Sequence, residues 1–406
     1  RDGSRRRRRE TAIRSSRARR PRGANRTVAS SPRADDRIAA SRQRAPSRDE
    51  DDKNNLTLRT RRLEMSPKIT ELCSYPVKSC AGVSLDACAL TSTGLAFDRL
   101  FCVVNAADGK FISQRSHPRL SLVACAIEPP DAFTDRTARQ FALTCETSSM
   151  ATKLRVEVDL DDASGTATSA TNVECWEWRG KAAKCGDEAG RWFSEFLNQT
   201  PDGDGAAYEL VRWMGKGGAP SAPQDADDLD VDDDVTRLTS ENYGSRRATT
   251  TLSDGYPMLL VNAASVRAMH ELVREETEKS NAAPVVVDNR RFRGNVVVDD
   301  AKAYAEDTWS VIALGAREVQ AELCKPCSRC SIPLVDPDVG SPALGAPLAR
   351  ALSRARSGAA LRTANRLWRQ SPFFGWNLLV PSTQDATVVL RVGDDVRVLE
   401  TRPAFP

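Results

Sequence analysis

Apolar and polar positions alternate along Lys68-Ile-Thr-Glu-Leu-Cys-Ser-Tyr75, a strand pattern that stops at Pro76-Val-Lys78-Ser79-Cys80-Ala-Gly82, a turn carrying a cation and a hydroxyl. Val83 to Leu90 predicts a second strand. Thr91-Ser-Thr-Gly94-Leu-Ala-Phe-Asp98-Arg99 predicts a turn that feeds the apolar, buried strand Leu100-Phe-Cys-Val-Val104. Asn105-Ala-Ala-Asp-Gly109-Lys predicts a hairpin loop, with the strand Phe111-Ile-Ser beyond it. Short strands and turn signals continue to about Asp161, so the first region reads as antiparallel β.

The period then changes. Ala189, Trp192, Phe193, Phe196 and Leu197 are spaced for one face of a helix over Asp187 to Leu197, and these aromatics are expected in the core. Residues 200–250 read as a linker or insertion: Gly215 to Pro223 is rich in Gly, Pro and Ala, and Asp225 to Asp234 is a run of aspartates. That run lacks the glycine and terminal Glu of an EF-hand loop, so it is expected to be a solvated acidic loop.

Strand signals return at Ser253-Asp-Gly255-Tyr-Pro-Met-Leu-Leu-Val261, a turn and then a strand. Ala263 to Lys279 predicts a helix with Asn262 as N-cap. Val285-Val-Val predicts a short strand, Arg290-Arg-Phe-Arg293-Gly-Asn295 a basic turn before another, and Trp309 to Leu314 and Val319 to Cys324 two more around Gly315. Val388 to Leu399 predicts a closing hairpin. The expected fold is mixed α+β and predominantly β. A basic tail (1–66) precedes a β-barrel-like domain (67–200), the linker (201–250) and a second β-barrel domain (251–402), with function on the loops at strand ends.

Charge divides the chain. Residues 1–66 hold 21 Arg and Lys against 9 Asp and Glu, and the remainder holds 38 against 46. An acidic body argues against nucleic acid as the partner and suits a small-molecule enzyme. The Arg- and Ser-rich tail reads either as an organelle transit peptide or as a solvated extension, and a nucleic-acid-binding arm is a third option; Asp35, Asp36 and Asp49 to Asp52 are atypical of transit peptides. No stretch reaches the roughly 18 consecutive apolar residues of a membrane span. Eleven cysteines without a secretory signal or a regular pairing pattern suggest a reducing compartment.

Three of those cysteines are clustered in Cys324-Lys-Pro-Cys327-Ser-Arg-Cys330. Thiolate is the ligand class of soft metals and of reactive sulfur. A local iron–sulfur cluster would need a fourth cysteine, and none follows Cys330. Zinc would need remote cysteines to complete it, since His117 and His270 lie far upstream. Most of the other eight cysteines are expected to be buried and inert. Lys78, Ser79, Arg99, Arg293, Asn295 and Arg329 all sit in turns beside buried strands, which suggests an anion pocket suited to phosphate. No G-x-S-x-G elbow, Walker loop or G-x-G-x-x-G is present, which argues against serine-hydrolase chemistry and nucleotide binding.

In chain order, Tyr75-Pro-Val-Lys-Ser79, Asp98-Arg99, Ser253-Asp-Gly-Tyr-Pro257, Arg291-Phe-Arg-Gly-Asn295, Ala305-Glu-Asp-Thr-Trp309, Cys327-Ser-Arg-Cys330, Val335-Asp-Pro-Asp338 and Phe374-Gly-Trp-Asn377 resemble the MOSC family across residues 67–400. Within that family the likeness is to the molybdenum-dependent amidoxime reductases. The resemblance implies a β-barrel N-terminal domain, a MOSC domain and a molybdenum–molybdopterin cofactor. It makes Cys330 the molybdenum ligand and catalytic centre. It assigns pterin and phosphate binding to Lys78, Ser79, Arg99, Asp254, Gly255, Arg293, Asn295, Ser328, Arg329 and Asn377. Gly294 stands where relatives often carry Pro, Cys324 adds a third thiol to the usual pair, and the aspartate run lies outside the family pattern.

The resemblance further implies a reductase of amidoximes, hydroxylamines and other N-hydroxylated compounds, with nitrite as a further substrate. The chain has no haem, flavin or iron–sulfur motif, so electrons would come from cytochrome b5 and an NADH-dependent cytochrome b5 reductase. The implied compartment is the mitochondrion, with plastid and cytoplasm as alternatives. A second reading is a sulfur-carrier or cofactor-handling protein working through cysteine persulfide, as in molybdenum cofactor sulfurases, although the pyridoxal-phosphate desulfurase domain that precedes such a region is not in this sequence. A third is a zinc-stabilised interaction module.

Overall fold

In Leu154–Asp159 the alternation is complete: Leu154, Val156 and Val158 are buried, and Arg155, Glu157 and Asp159 are exposed. This strand pairs antiparallel with Gln140–Glu146, whose five central residues are all buried, and Ala124–Glu128 closes the three-stranded sheet on the other side. The computed structural model describes residues 66–135, 137–160, 169–200, 203–215, 235–380, 388–403 and 405–406. The tail up to Met65 and the aspartate run lie outside the described residues.

Three further sheets complete the β framework. One has four strands in the order Phe101–Asn105, Tyr208–Trp213, Trp178–Lys184, Ala170–Cys175, and another has three in the order Val389–Arg391, Ala87–Thr91, Gly94–Leu95. The largest has eight, in the order Val396–Thr401, Trp309–Leu314, Val319–Ser328, Phe373–Leu379, Met258–Asn262, Val296–Asp299, Lys68–Ser74, Val83–Leu85. Its neighbours are antiparallel except Met258–Asn262 and Val296–Asp299. A parallel pair needs a crossover, and the helix Ala263–Ser280 supplies it. Asn262 caps that helix as expected, its side chain accepting from the Ala264 N–H at 3.0 Å. The helix Asp187–Asn198 buries the five residues its spacing predicts.

The chain is mixed α+β and predominantly β. One apolar core runs from Ile69 and Leu72 through Phe97, Phe101 and Trp213 to Trp376. A smaller one, with Met269, Phe292, Leu348 and Phe374, lies between the helices Ala263–Ser280 and Ala346–Arg356 and the large sheet. No helix among the described residues is long and apolar enough to cross a membrane.

Several expectations are corrected. The strand expected over Val83 to Leu90 breaks at Asp86, because Val83–Leu85 pairs with the first strand and Ala87–Thr91 pairs with Val389–Arg391. The closing hairpin has its turn, but its arms join different sheets: Val396–Thr401 pairs with Trp309–Leu314. The turn itself is pinned to the first strand by Gly393 N–H to Ile69 O at 2.8 Å and Ile69 N–H to Asp394 O at 2.9 Å. Among the described residues Val285-Val-Val has no partner strand; Val285 and Val287 are buried, and the Val287 N–H donates to His270 Nδ1. Phe111 makes only an isolated bridge with Val104.

The segment expected as a linker contributes the strand Tyr208–Trp213 to the four-stranded sheet, and Leu238 bridges Thr249 further on. The strand expected to end at Cys324 continues to Ser328, so Cys327 stands near its end. The helix Ala346–Arg356 was not foreseen, although Pro347, Leu348, Ala351 and Leu352 are spaced for it.

Candidate functional site

The first wall of the site is a pair of turns that follow buried strands. Lys78 N–H donates to Phe101 O at 2.8 Å and Arg99 N–H to Tyr75 O at 2.8 Å, so each turn is sewn to the other. Ser79 (φ 72°), Arg99 (φ 47°) and, across the cavity, Arg293 (φ 59°) all have left-handed backbones. Non-glycine residues hold that conformation at a cost, and here it turns three polar side chains toward one space.

Arg99 and Arg293 are held by the ring of Tyr75. Their guanidinium carbons lie 4.3 Å and 4.1 Å from its centroid, so a fully buried tyrosine stands between two cations. Asp98, also buried, accepts from Arg99 Nη1, from the Tyr75 N–H at 2.9 Å and from Asn295 Nδ2 at 2.9 Å. Asn295 uses all its capacity inside the protein. Its amide donates to Asp98 and to Cys73 O, and its oxygen accepts from Leu259 N–H and from Arg99 Nη1. It therefore positions Arg99 rather than offering a free group.

The opposite wall is the end of Val319–Ser328 and the turn after it. Arg329 is anchored by its N–H to Pro372 O at 2.8 Å and by Nη2 to Phe292 O at 2.8 Å, and its Nη1 donates to Cys327 Sγ at 3.0 Å. Cys330 is exposed, and its Sγ accepts only the distant Ile332 N–H at 3.5 Å. Cys324 faces away from the cavity, donating to Asn377 O at 3.4 Å, and burial pushes its thiol up to about 12. Asn377 lies on the neighbouring strand, with its amide donating to Lys325 O at 3.1 Å.

Between the walls stands the Ser253–Tyr256 turn. Lys78 Nζ donates to Asp254 Oδ1 at 2.6 Å. Against the desolvation at the cavity wall, the charge and hydrogen bond of Lys78, with Arg99 and Arg115 beyond, hold the Asp254 carboxyl, whose side chain reaches into the cleft, well below the usual carboxylate range. Gly255 faces open space, where a Cβ would meet nothing within 4 Å.

All eleven residues singled out in the sequence line one cavity of about 100 Å³: Lys78, Ser79, Arg99, Asp254, Gly255, Arg293, Asn295, Ser328, Arg329, Cys330 and Asn377. It opens into a cleft of about 1090 Å³ that shares Cys327, Ser328, Arg329 and Cys330 and is walled by Arg115, Trp176, Trp178, Arg237, Arg247 and Lys325. Three polar atoms on the cavity-lining residues are buried without a partner: the guanidinium donors Arg293 Nη2 and Arg329 Nε, and the Tyr256 hydroxyl. Leaving such a donor unmet costs about 1–3 kcal/mol, so a ligand that accepts from the two guanidinium groups is favoured there. The site thus offers a cationic cradle and an exposed thiol side by side. Among the described residues, no group of three or more His, Cys, Asp or Glu side chains is arranged to hold a metal ion by itself.

Sequence reasoning missed Asp98 and Tyr75 as organisers, and it missed Arg237 and Trp176. Arg237 lies in the supposed linker, yet its guanidinium donates to Thr251 O, Ser253 O and Asp254 O and fixes the turn that carries Asp254. Trp176 sits in the tight turn between Ala170–Cys175 and Trp178–Lys184 with φ 58°; its indole reaches Asp254, and Arg115 stacks on it at 4.2 Å. The dense run Cys175-Trp-Glu-Trp178 was the only local signal of that loop.

The sequence matches the MOSC N-terminal beta barrel domain over residues 66–200 and the MOSC domain over residues 247–397. It is similar to the mitochondrial amidoxime reducing component 2 of Bos taurus, 29% identical over 285 residues, which covers 70% of each chain. It is also similar to the mitochondrial amidoxime-reducing component 1 of Homo sapiens, 26% identical over 353 residues, covering 84% of this chain and 86% of that one. The molybdenum cofactor sulfurase of Bos taurus is 26% identical over 279 residues, which are 67% of this chain and 27% of the sulfurase.

Proposed function

This chain belongs to the MOSC family, and from that premise we propose that it is a molybdenum cofactor-dependent reductase that removes oxygen from N-hydroxylated small molecules such as amidoximes and hydroxylamines. The observation that carries the reading is the exposed Cys330 thiol beside a cradle in which two buried guanidinium donors lack partners. A pterin phosphate would accept from such donors, and a soft thiolate suits molybdenum. When bound, this cofactor supplies the acceptance of oxygen from the N–O bond and the two-electron redox change.

The chain's own residues bind and orient. Cys330 would ligate the metal, and Lys78, Ser79, Arg293 and Arg329 would hold the phosphate and pterin. Arg99 would join them, in the pose set by Asp98 and Asn295. The wide cleft beside Cys330, between Trp176, Trp178 and Lys325, would admit the substrate. Electrons would come from cytochrome b5 and its NADH-dependent reductase, and the mitochondrion is the proposed compartment, in keeping with the names of the relatives.

A second reading is sulfur transfer. Cys327 Sγ lies 3.0 Å from Arg329 Nη1, three residues before the exposed Cys330, so a persulfide anion formed there would be paired with a cation; the sulfurases match over two thirds of this chain. The deciding experiment measures molybdenum and molybdopterin in the purified protein beside Cys330→Ser, with amidoxime reduction assayed on both. Near-stoichiometric molybdenum and reduction, both lost in the variant, support the reductase. Full retention in the variant removes Cys330 as ligand, zinc or no metal sinks the reading, and a stable persulfide on Cys327 or Cys330 favours the carrier.

A further inference from the structure

Three thiols that the proposed reaction does not use converge beneath the turn that carries Lys78 and Ser79. Cys125, on Ala124–Glu128, stands directly opposite Cys145, on Gln140–Glu146, in the antiparallel register. Directly opposed residues project from the same face of a sheet. The two Sγ atoms are 3.9 Å apart, and Cys80 is the second sulfur neighbour of Cys125. Cys80 and Cys145 are fully buried while Cys125 is half-buried, so Cys125 is the residue of the three that stands nearest the solvent. None of the three lines the cleft or the cradle.

We propose that Cys125 and Cys145 form a reversible intrachain disulfide in response to a small peroxide oxidant. The Cys125 thiolate attacks one peroxide oxygen; the O–O bond breaks, leaving a Cys125 sulfenic acid and hydroxide. The Cys145 sulfur then attacks the Cys125 sulfur. The S–S bond forms, the S–O bond breaks, and the oxygen departs as water with the Cys145 proton. In sum two thiols lose two electrons and two protons, and the peroxide becomes two waters.

The geometry is close to what the bond requires. A disulfide needs sulfurs about 2.05 Å apart on β-carbons about 3.5–4.5 Å apart, and opposed strand residues begin at about 4.5–5.5 Å. Rotation of the two side chains and a slight closing of the strand pair suffice. Contacts with Cys145 and then Cys80 hold the Cys125 thiol well below its ordinary value against the effect of burial, with the Arg293 charge acting in the same direction. The pair also adjoins the cradle: the Ala81 N–H donates to Val123 O at 3.0 Å, and Arg293 Nη1 donates to Cys80 O at 2.7 Å.

The test treats the purified cofactor-loaded protein with hydrogen peroxide, blocks remaining thiols by alkylation and maps the peptides by mass spectrometry. The expected product is a Cys125–Cys145 linked peptide lighter by two hydrogens and restored by dithiothreitol; in Cys145→Ser, where that link cannot form, a Cys125 sulfenic acid is expected to be trapped by dimedone at a yield about tenfold or more above wild type. The wild-type map decides the matter even if that variant folds poorly. A Cys125 that proceeds to sulfinic acid unlinked, a bond to Cys80 instead, or oxidation confined to Cys327 and Cys330 would each overturn the proposal.

Discussion

Lys78 and Asp254 meet at 2.6 Å across the mouth of the cradle, the lysine side chain 5% exposed and the carboxylate 69% exposed. The cation is thus built into the wall, and its counter-charge hangs in the cleft where a bound anion competes with it. Because the carboxyl is held below its ordinary range, the pair survives as pH falls through about 4 and is lost only below that. Asp254→Asn should therefore strengthen pyrophosphate binding to cofactor-free protein about three- to tenfold, read by calorimetry at low salt. Unchanged or weaker binding would show that the carboxylate does not screen Lys78.

Tyr75 keeps two like charges in place with one ring. Its hydroxyl meets the Cys73 thiol and reaches Gly294 O only at 3.5 Å, both weak partners, whereas the ring faces both guanidinium groups. Tyr75→Phe should remain within about 1 kcal/mol of wild type in urea unfolding, while Tyr75→Leu should lose about 2–4 kcal/mol. Equal losses in both would assign the role to the hydroxyl.

Asp98 is the buried anion on which the Arg99 side of the cradle depends. Asp98→Ala strands Arg99 and Asn295 and should cost about 3–5 kcal/mol. Asp98→Asn restores shape without charge and should recover only part of that loss. Urea midpoints of the three proteins separate the charge from the shape.

Glu306 couples fold stability to pH. Its buried carboxylate accepts from Asn262 Nδ2 at 2.8 Å and Ser265 Oγ at 2.7 Å, yet burial outweighs these bonds and pushes it up to about 7 from an ordinary 4.5. The native state therefore binds a proton that the unfolded chain has released, and stability falls as pH rises from 4.5 to about 7, by about 3 kcal/mol at most, then levels off. Glu306→Gln should remove that slope. Unfolding curves at pH 4.5, 6 and 7.5 on both proteins check it, and an unchanged slope in the variant would rule Glu306 out as its source.

How far the chain could be read in advance depended on where each residue finds its partners. The helix Asp187–Asn198 and the N-cap Asn262 were legible because their contacts are local and follow the helical period. Lys78, Ser79, Arg99, Arg293, Asn295 and Arg329 were legible as polar residues in turns beside buried strands, and three of them, Ser79, Arg99 and Arg293, have left-handed backbones; Asp254, Gly255, Ser328, Cys330 and Asn377 were placed at the site only by the family resemblance. Strand partnership was not legible. Val83–Leu85 and Ala87–Thr91 form one apolar run in sequence and two sheets in space, and only Asp86 marks the change. Arg237 was hidden because its role is to hold carbonyls, which leave no trace in side-chain patterns.

The place of Lys68–Ser74 in the large sheet sets an order of events during synthesis. Its partner strand, Val296–Asp299, lies more than two hundred residues downstream, with Lys68 opposite Asp299. On the ribosome the first strand must wait, one edge unpaired, until most of the chain has emerged. A chain begun after Tyr75 would leave Val296–Asp299 as a bare apolar edge of the kind that recruits other molecules. The two halves of this protein are therefore poor candidates for separate expression, and such a shortened chain is expected to be recovered as aggregate.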